Sequence, residues 1–211
     1  DTIGLGDLTN FWAGKTSADV SWSLGMYMSG FFPCMMFGVP AAAAAMIATA
    51  KNKKAAAGLL ISTAICAFVC GVTEPFEFSF MFVAFPLYVV YAALYGIFTV
   101  ITYYTGFRAG FSFSAGATDL LFSSQLPAAN NIWMIIPLGI GAAIVFFVVF
   151  YALIKAFNFK TPGREDEDEN TEAEKKVVLS NNNFTQVAAG VLAAVGGKEN
   201  VKNVEYCATR L

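Results

Sequence analysis

Two carboxylates three residues apart, Glu74 and Glu77, sit in the run Gly71-Val-Thr-Glu-Pro-Phe-Glu-Phe78. Between Ala55 and Ile154 the only other formal charges are Arg108 and Asp119. An ionisable side chain in so apolar a setting is costly and points to a site. Pro75 has no N–H and disfavours helix in the residue before it. Thr73-Glu74-Pro75 is therefore expected to break a helix and leave Glu74 on irregular backbone. A carboxylate there can accept hydrogen bonds from several ligand hydroxyls. Glu77 can do the same, or it can hold Arg108 in an ion pair. The plainer alternative puts both acids at a water interface, where they favour the first turn of the following helix. Arg108 and Asp119 flank a segment with turns and hydroxyls at Gly110, Ser112, Ser114 and Gly116. Arg108 and Asp119 either pair with each other or, with Ser114, belong to the site.

A different chemistry is possible near the end of the chain. Cys207 lies in Asn203-Val-Glu-Tyr-Cys-Ala-Thr-Arg-Leu211. A thiolate is the reactive form of cysteine, and a nearby cation favours it. Thr209 and Arg210 are close enough to donate hydrogen bonds to a phosphate on that sulfur. Taken alone, the stretch favours a buried structural thiol instead. Cys34, Cys66 and Cys70 lie in apolar runs and read as small buried hydrophobes. The chain has no His, which excludes His-based catalysis and most zinc sites within it. No metal site and no cofactor is read from the residues. A net charge of −2 offers no basic face for nucleic acid.

These residues must be positioned by membrane helices. The chain has 211 residues, 57% hydrophobic and 13% charged. A soluble domain is about 45–50% apolar and about a quarter charged. Most of the charge lies after Lys155, which places residues 23–157 in a bilayer and the tail in water. The expected spans are Trp22–Ala50, Ala55–Val72, Phe78–Tyr104 with a kink at Pro86, and Asn131–Phe157. Residues 1–20 read as a loop or short interfacial helix. The basic loop Lys51-Asn-Lys-Lys54 is cytoplasmic by the positive-inside rule, and so is the tail. An even number of crossings must join them. Either the polar, Gly-rich Phe107–Asn130 segment completes a crossing, or one span turns back at the Gly71–Pro75 run. Irregular backbone at membrane depth survives only against protein or a water-filled cavity, so 107–130 reads as a re-entrant hairpin. Residues 159–182 form a charged linker. Asn183–Val195 is then an amphipathic helix and Val201–Tyr206 a strand. The start at Asp1 shows no signal-peptide pattern, and the ends suggest a fragment cut on both sides.

Three motifs now carry a resemblance. Gly71–Phe78 is similar to the G-I-T-E-P-I-E-F signature of the sugar-transporting enzyme IIC of the bacterial phosphoenolpyruvate-dependent phosphotransferase system, glucose superfamily. Glu205-Tyr-Cys-Ala-Thr-Arg-Leu211 resembles the enzyme IIB motif D-A-C-I-T-R-L, and Phe159-Lys-Thr-Pro-Gly-Arg-Glu165 resembles the linker between the two. The resemblance covers the C-terminal half of IIC (residues 1–158) and the start of IIB (183–211). It implies a polytopic α-helical membrane protein with re-entrant hairpins, followed by the truncated start of a small α/β domain. It also implies a mechanism. A phosphohistidine on enzyme IIA, itself charged through HPr and enzyme I, passes its phosphoryl group to Cys207, with Thr209 and Arg210 on the phosphate. Phospho-Cys207 then phosphorylates the transported sugar, usually at its C6 hydroxyl, on the cytoplasmic face of the inner membrane. Glu74 contacts the sugar, and Thr73, Glu77, Arg108, Ser114 and Asp119 are the further candidates for its site. Lipid and a second copy of the chain are implied partners, the dimer forming through an N-terminal half that is missing here. So is a functional His of the family, and the piece alone is expected to be inactive.

Gly30–Pro40 and Ala109–Gly116 look most like N-acetylglucosamine-type members, since glucose-type members carry a His near the position of Ala115. Glucose, glucosamine or maltose are the alternative sugars. Two other classes compete. A proton-coupled secondary transporter would use Glu74 or Asp119 as a proton site, and a membrane scaffold would need neither carboxylate. The IIB-like tail argues against both.

Overall fold

The structure, a computed structural model, describes residues 6–20, 22–164 and 184–201. The chain divides into two compact units, Asp1–Glu165 and Asp166–Leu211. In the first unit the short α1 (Asp7–Trp12) precedes four helices of membrane-spanning length. These are α2 (Phe31–Thr49), α3 (Lys53–Cys70), α5 (Phe85–Thr105) and α7 (Ile135–Phe157), the last entered through a single 3₁₀ turn, Ile132–Met134. Two short helices lie between them, α4 (Glu74–Met81) and α6 (Ala117–Ser123). Among the described residues the only β pairing is one isolated antiparallel bridge, Arg108 with Asn130.

Small residues let these helices approach closely, as membrane helices require. A Cβ at Gly139 would lie 2.5 Å from the Phe37 ring, and one at Gly30 would lie 2.5 Å from Thr99 Cα. Ala42, Ala43 and Ala45 are buried on the inner face of α2. α2 widens into a π turn at Cys34–Gly38, where the Val39 N–H donates to Cys34 O. Pro40 explains the widening: it has no N–H for the carbonyl four residues back, and its ring crowds that carbonyl. The core is aromatic. Phe146 and Phe150 of α7 pack on Tyr91 of α5, and Phe80 of α4 packs on both Tyr91 and Phe150. Outward-facing Ile140, Ile144 and Val148 lie four residues apart, each more than half exposed. An apolar stripe on helices of this length is a face for acyl chains.

The first apolar stretch becomes helical later than expected, with turns over 24–27 and a 3₁₀ turn, Met28–Gly30, before α2. Pro86 does not kink a span. It lies in the first turn of α5, where its missing N–H would be an orphan in any case. The chain breaks instead at Ala84 (φ −136°, ψ 52°), leaving α4 as a separate piece.

The crossing parity is resolved by contacts. The Lys51 and Asn52 N–H groups both donate to Gly163 O at 2.9 Å, and Arg164 donates to Thr49 O. The basic turn between α2 and α3 and the exit of α7 therefore share one end of the molecule. α3 runs away from that end. α4 turns back toward it, since Phe80 reaches Phe150 near the exit of α7. α5 leaves again and finishes beside the starts of α2 and α7, where Phe107 packs on Phe32 in the cluster with Ile135. The 107–130 hairpin opens and closes at that far end, its base clamped by Arg108 N–H to Asn130 O (2.8 Å) and Asn130 N–H to Arg108 O (3.0 Å). The span that turns back at the Gly71–Pro75 run is thus the alternative the fold adopts. Residues 159–164, which the sequence reading put in the linker, fold against the α2–α3 turn, with Thr161 buried.

In the second unit α8 (Phe184–Ala194) coincides with the amphipathic helix expected over 183–195. Gly196 and Gly197, both at φ 89°, end it.

Candidate functional site

Two pieces of irregular backbone meet inside the first unit. α3 ends at Cys70 because Gly71 turns left-handed (φ 71°), and α4 starts three residues later with Pro75 in its first turn. The helix break is therefore made by Gly71, and Pro75 begins the next helix rather than ending the last. Glu74 is the first helical residue of α4, not a residue on irregular backbone. The tip of the hairpin lies against this turn. A Cβ on Gly71 would sit 2.7 Å from Ser114 Oγ and 2.8 Å from the Gly116 nitrogen. A Cβ on Gly116 would sit 2.5 Å from the Gly71 nitrogen and from Val69 O. Only glycine allows the two backbones this close.

Hairpin side chains hold the crossing together. Ser114 Oγ donates to Gly71 O (2.7 Å) and Thr118 Oγ1 donates to Val69 O (3.1 Å). They satisfy carbonyls that the end of α3 would otherwise leave orphaned. Asp119 is 8% exposed, and its Oδ2 accepts from the Phe113 N–H (3.1 Å) and the Ser114 N–H (2.9 Å). It shapes the tip from within.

The two glutamates differ in their surroundings. Glu77 is half-buried, and its Oε1 accepts from Thr73 Oγ1 (3.0 Å) and from the Tyr91 hydroxyl (2.9 Å). Glu74 is exposed beside the crossing. Thr73, 5% exposed, precedes α4 without capping it, because its hydroxyl is turned to Glu77.

Thr73, Glu74, Glu77, Ser114 and Asp119 thus gather on or next to the crossing. Arg108 does not join them. It sits at the hairpin base, donating to Ser23 Oγ (3.0 Å) and to the carbonyls of Phe107 (2.7 Å) and Tyr103 (3.3 Å), with its guanidinium 5.6 Å from the Tyr103 ring centre. The ion pairs considered for it, with Glu77 or Asp119, are not formed. Cys207, Thr209 and Arg210 lie outside the described residues, as does the strand expected over 201–206 beyond Val201. Among the described residues no three His, Cys, Asp or Glu gather as a metal-binding group. Sequence reasoning passed over Tyr91 and Tyr95, whose hydroxyls meet at 3.1 Å behind Glu77. Their spacing of one helical turn was a usable signal, but 15% aromatic content hid it.

Comparison with known proteins bears on the family. The family model described as Phosphotransferase system, EIIC, matches residues 4–96, and the one for phosphotransferase system, EIIB, matches residues 189–211. Residues 4–96 thus match enzyme IIC of the phosphotransferase system, and residues 189–211 match enzyme IIB. It is similar over its whole length, at 45% identity, to the PTS system N-acetylglucosamine-specific EIICBA component of Escherichia coli (strain K12), of which it covers 32%. The PTS system N-acetylglucosamine-specific EIICB component of Bacillus subtilis (strain 168) is 47% identical over 98% of the chain and 43% of the relative. The glucose-specific EIICBA component of Staphylococcus carnosus (strain TM300) is 44% identical over 92% of the chain and 28% of the relative. The chain thus spans between a quarter and a half of the length of these relatives. The segment that matches enzyme IIC is a multi-span part of the bacterial cytoplasmic membrane.

Proposed function

We propose that this chain is the site-bearing part of a protein that carries a sugar across the membrane and phosphorylates it. The observation that carries the reading is the crossing of the Gly71 turn with the hairpin tip, which sets an exposed Glu74 at the start of a half-length helix among apolar spans. Discontinuous helices of this kind form substrate sites within membrane transporters. Glu74 contacts the sugar by accepting from its hydroxyls, with Thr73 and Glu77 behind it and Ser114 and Asp119 shaping the facing loop. Arg108, tied to the hairpin base, orients the hairpin rather than the sugar.

In this reading a phosphohistidine on enzyme IIA is attacked by the Cys207 thiolate. The S–P bond forms as the N–P bond breaks. The C6 hydroxyl oxygen of the sugar then attacks the same phosphorus, the thiolate leaves, and the hydroxyl proton passes to a base. Thr209 and Arg210 contact the phosphate, as charge-assisted donors do. Such transfer is achieved by positioning and charge stabilisation, so a site that fixes the sugar contributes most. N-acetylglucosamine is the sugar favoured, on the specificities of the Escherichia coli and Bacillus subtilis relatives and on Ala115 in the hairpin. Glucose is the second reading, favoured by the Staphylococcus carnosus relative.

The test is sugar phosphate formed inside proteoliposomes that hold the full-length protein, supplied with its phosphoryl-donor proteins and labelled sugar. Cys207→Ser is expected to abolish the product, and N-acetylglucosamine to outcompete glucose. Sugar that accumulates unphosphorylated and ignores Cys207→Ser would refute the coupling.

A further inference from the structure

α5 carries hydroxyl groups into an otherwise apolar core. Tyr91 is 3% exposed, and its ring is enclosed by Phe76, Phe80, Phe146 and Phe150. Its hydroxyl oxygen lies 2.9 Å from Glu77 Oε1 and 3.1 Å from the Tyr95 hydroxyl. A phenol has one proton. Tyr91 gives it to the carboxylate, so the Tyr95 proton goes to Tyr91. Thr73 donates to the same Glu77 oxygen at 3.0 Å. A continuous chain therefore runs from Tyr95 through Tyr91 to Glu77, whose same oxygen also accepts from Thr73, the residue just before α4.

Packing does not require these polar atoms. Phe at position 91 would fill the same space, and replacing both members of a buried hydrogen bond by apolar groups is close to neutral. What the chain does is local. A threonine at a helix start ordinarily turns its oxygen to an amide of the first turn, but Thr73 makes no such cap. Its side chain is held by Glu77, and Glu77 is held by Tyr91. The first turn of α4 is thereby fixed from behind, through a rigid aromatic on the neighbouring helix. Glu74 is the first residue of that turn.

We propose that Tyr91, acting through Glu77 and Thr73, is a positioning residue that fixes Glu74 for the sugar. Glu77 is then the relay between the core and the site rather than a sugar contact. This rests on the sugar reading given above. A carboxylate displaced by a fraction of an ångström loses part of its hydrogen bonding to bound hydroxyls, so the effect falls on sugar binding.

The experiment measures initial rates of sugar phosphorylation by the full-length protein in proteoliposomes against sugar concentration. Tyr91→Phe removes one oxygen and keeps the ring. It is expected to raise KM about five- to tenfold with kcat within about twofold. Thr73→Val should do the same and Thr73→Ser should restore the wild-type KM. Tyr91→Phe combined with Glu77→Gln should be no worse than the more damaging single change, because both cut one relay. A Tyr91→Phe KM equal to wild type would overturn the proposal. So would single effects that multiply in the double variant. A purely structural Tyr91 would lower the amount of active protein, and so the maximal rate, at constant KM, which also overturns it. Wild-type protein that forms no sugar phosphate would sink the transport reading itself, a failure visible before any variant is compared.

Discussion

Glu77 accepts two hydrogen bonds from its own protein, whereas Glu74, one turn away on the same short helix, stands exposed. A carboxylate without internal partners in an apolar setting is placed to accept from a ligand, and charge-assisted hydrogen bonds contribute about 1.5–3 kcal/mol each. Glu74→Gln keeps the shape and removes the charge. It is expected to weaken sugar binding by about 10- to 100-fold, read as the dissociation constant of labelled N-acetylglucosamine for the purified full-length protein, with the melting temperature unchanged. Equal binding by the variant would remove Glu74 from the site. That these two carboxylates need an explanation was legible in the sequence, because a charge in so apolar a chain is costly. Their different surroundings were not legible. The separation depends on Tyr91, 14 residues beyond Glu77, and no local pattern reports a contact between helices.

At the scale of elements, the candidate site depends on two half-length helices and on the glycines that let the Gly71 turn and the hairpin tip meet. A Pro in the Gly71–Pro75 run announced a break, but Gly71 makes it, since only a left-handed residue ends α3 so abruptly. The same confusion put a kink at Pro86, where proline in fact starts a helix. Proline marks a boundary from sequence but does not say which side of it the helix lies on. Gly116 tests the element-level argument, because a Cβ there would meet backbone atoms, Gly71 N and Val69 O at 2.5 Å, that cannot swing aside. Gly116→Ala should separate α3 from the hairpin, at an overpacking cost of about 1–3 kcal/mol. The expected result is a melting temperature lower by about 3–10 °C and loss of sugar binding. Gly141→Ala is the comparison, since an added Cβ at Gly141 meets nothing within 4 Å, and neither quantity should fall. If both variants behave alike, the close approach at Gly116 does not hold the crossing.

For the whole molecule the decisive property is on which side of the membrane each helix end lies. Hydropathy gave four apolar stretches and a basic loop, enough to require an even number of crossings between Lys54 and Lys155 but not enough to say where the extra one occurs. That choice depends on contacts far apart in sequence, Phe80 with Phe150 and Phe107 with Phe32. If α4 turns back, α5 leaves the cytoplasmic side and Tyr104, 80% exposed near its end, faces the opposite side. If the hairpin completed a crossing instead, Phe78–Tyr104 would run the other way and Tyr104 would face the cytoplasm. One residue separates the two topologies. Lys54→Cys, Lys160→Cys and Tyr104→Cys, each placed singly in full-length protein with its own cysteines replaced, can be labelled with a membrane-impermeant maleimide. Inside-out vesicles should label positions 54 and 160 and spare 104, and right-side-out vesicles should do the reverse. Label at 104 in the inside-out vesicles would mean that α4 does not return. The Gly71 turn and the hairpin tip would then not meet as described, and the site built on their crossing would fall with it.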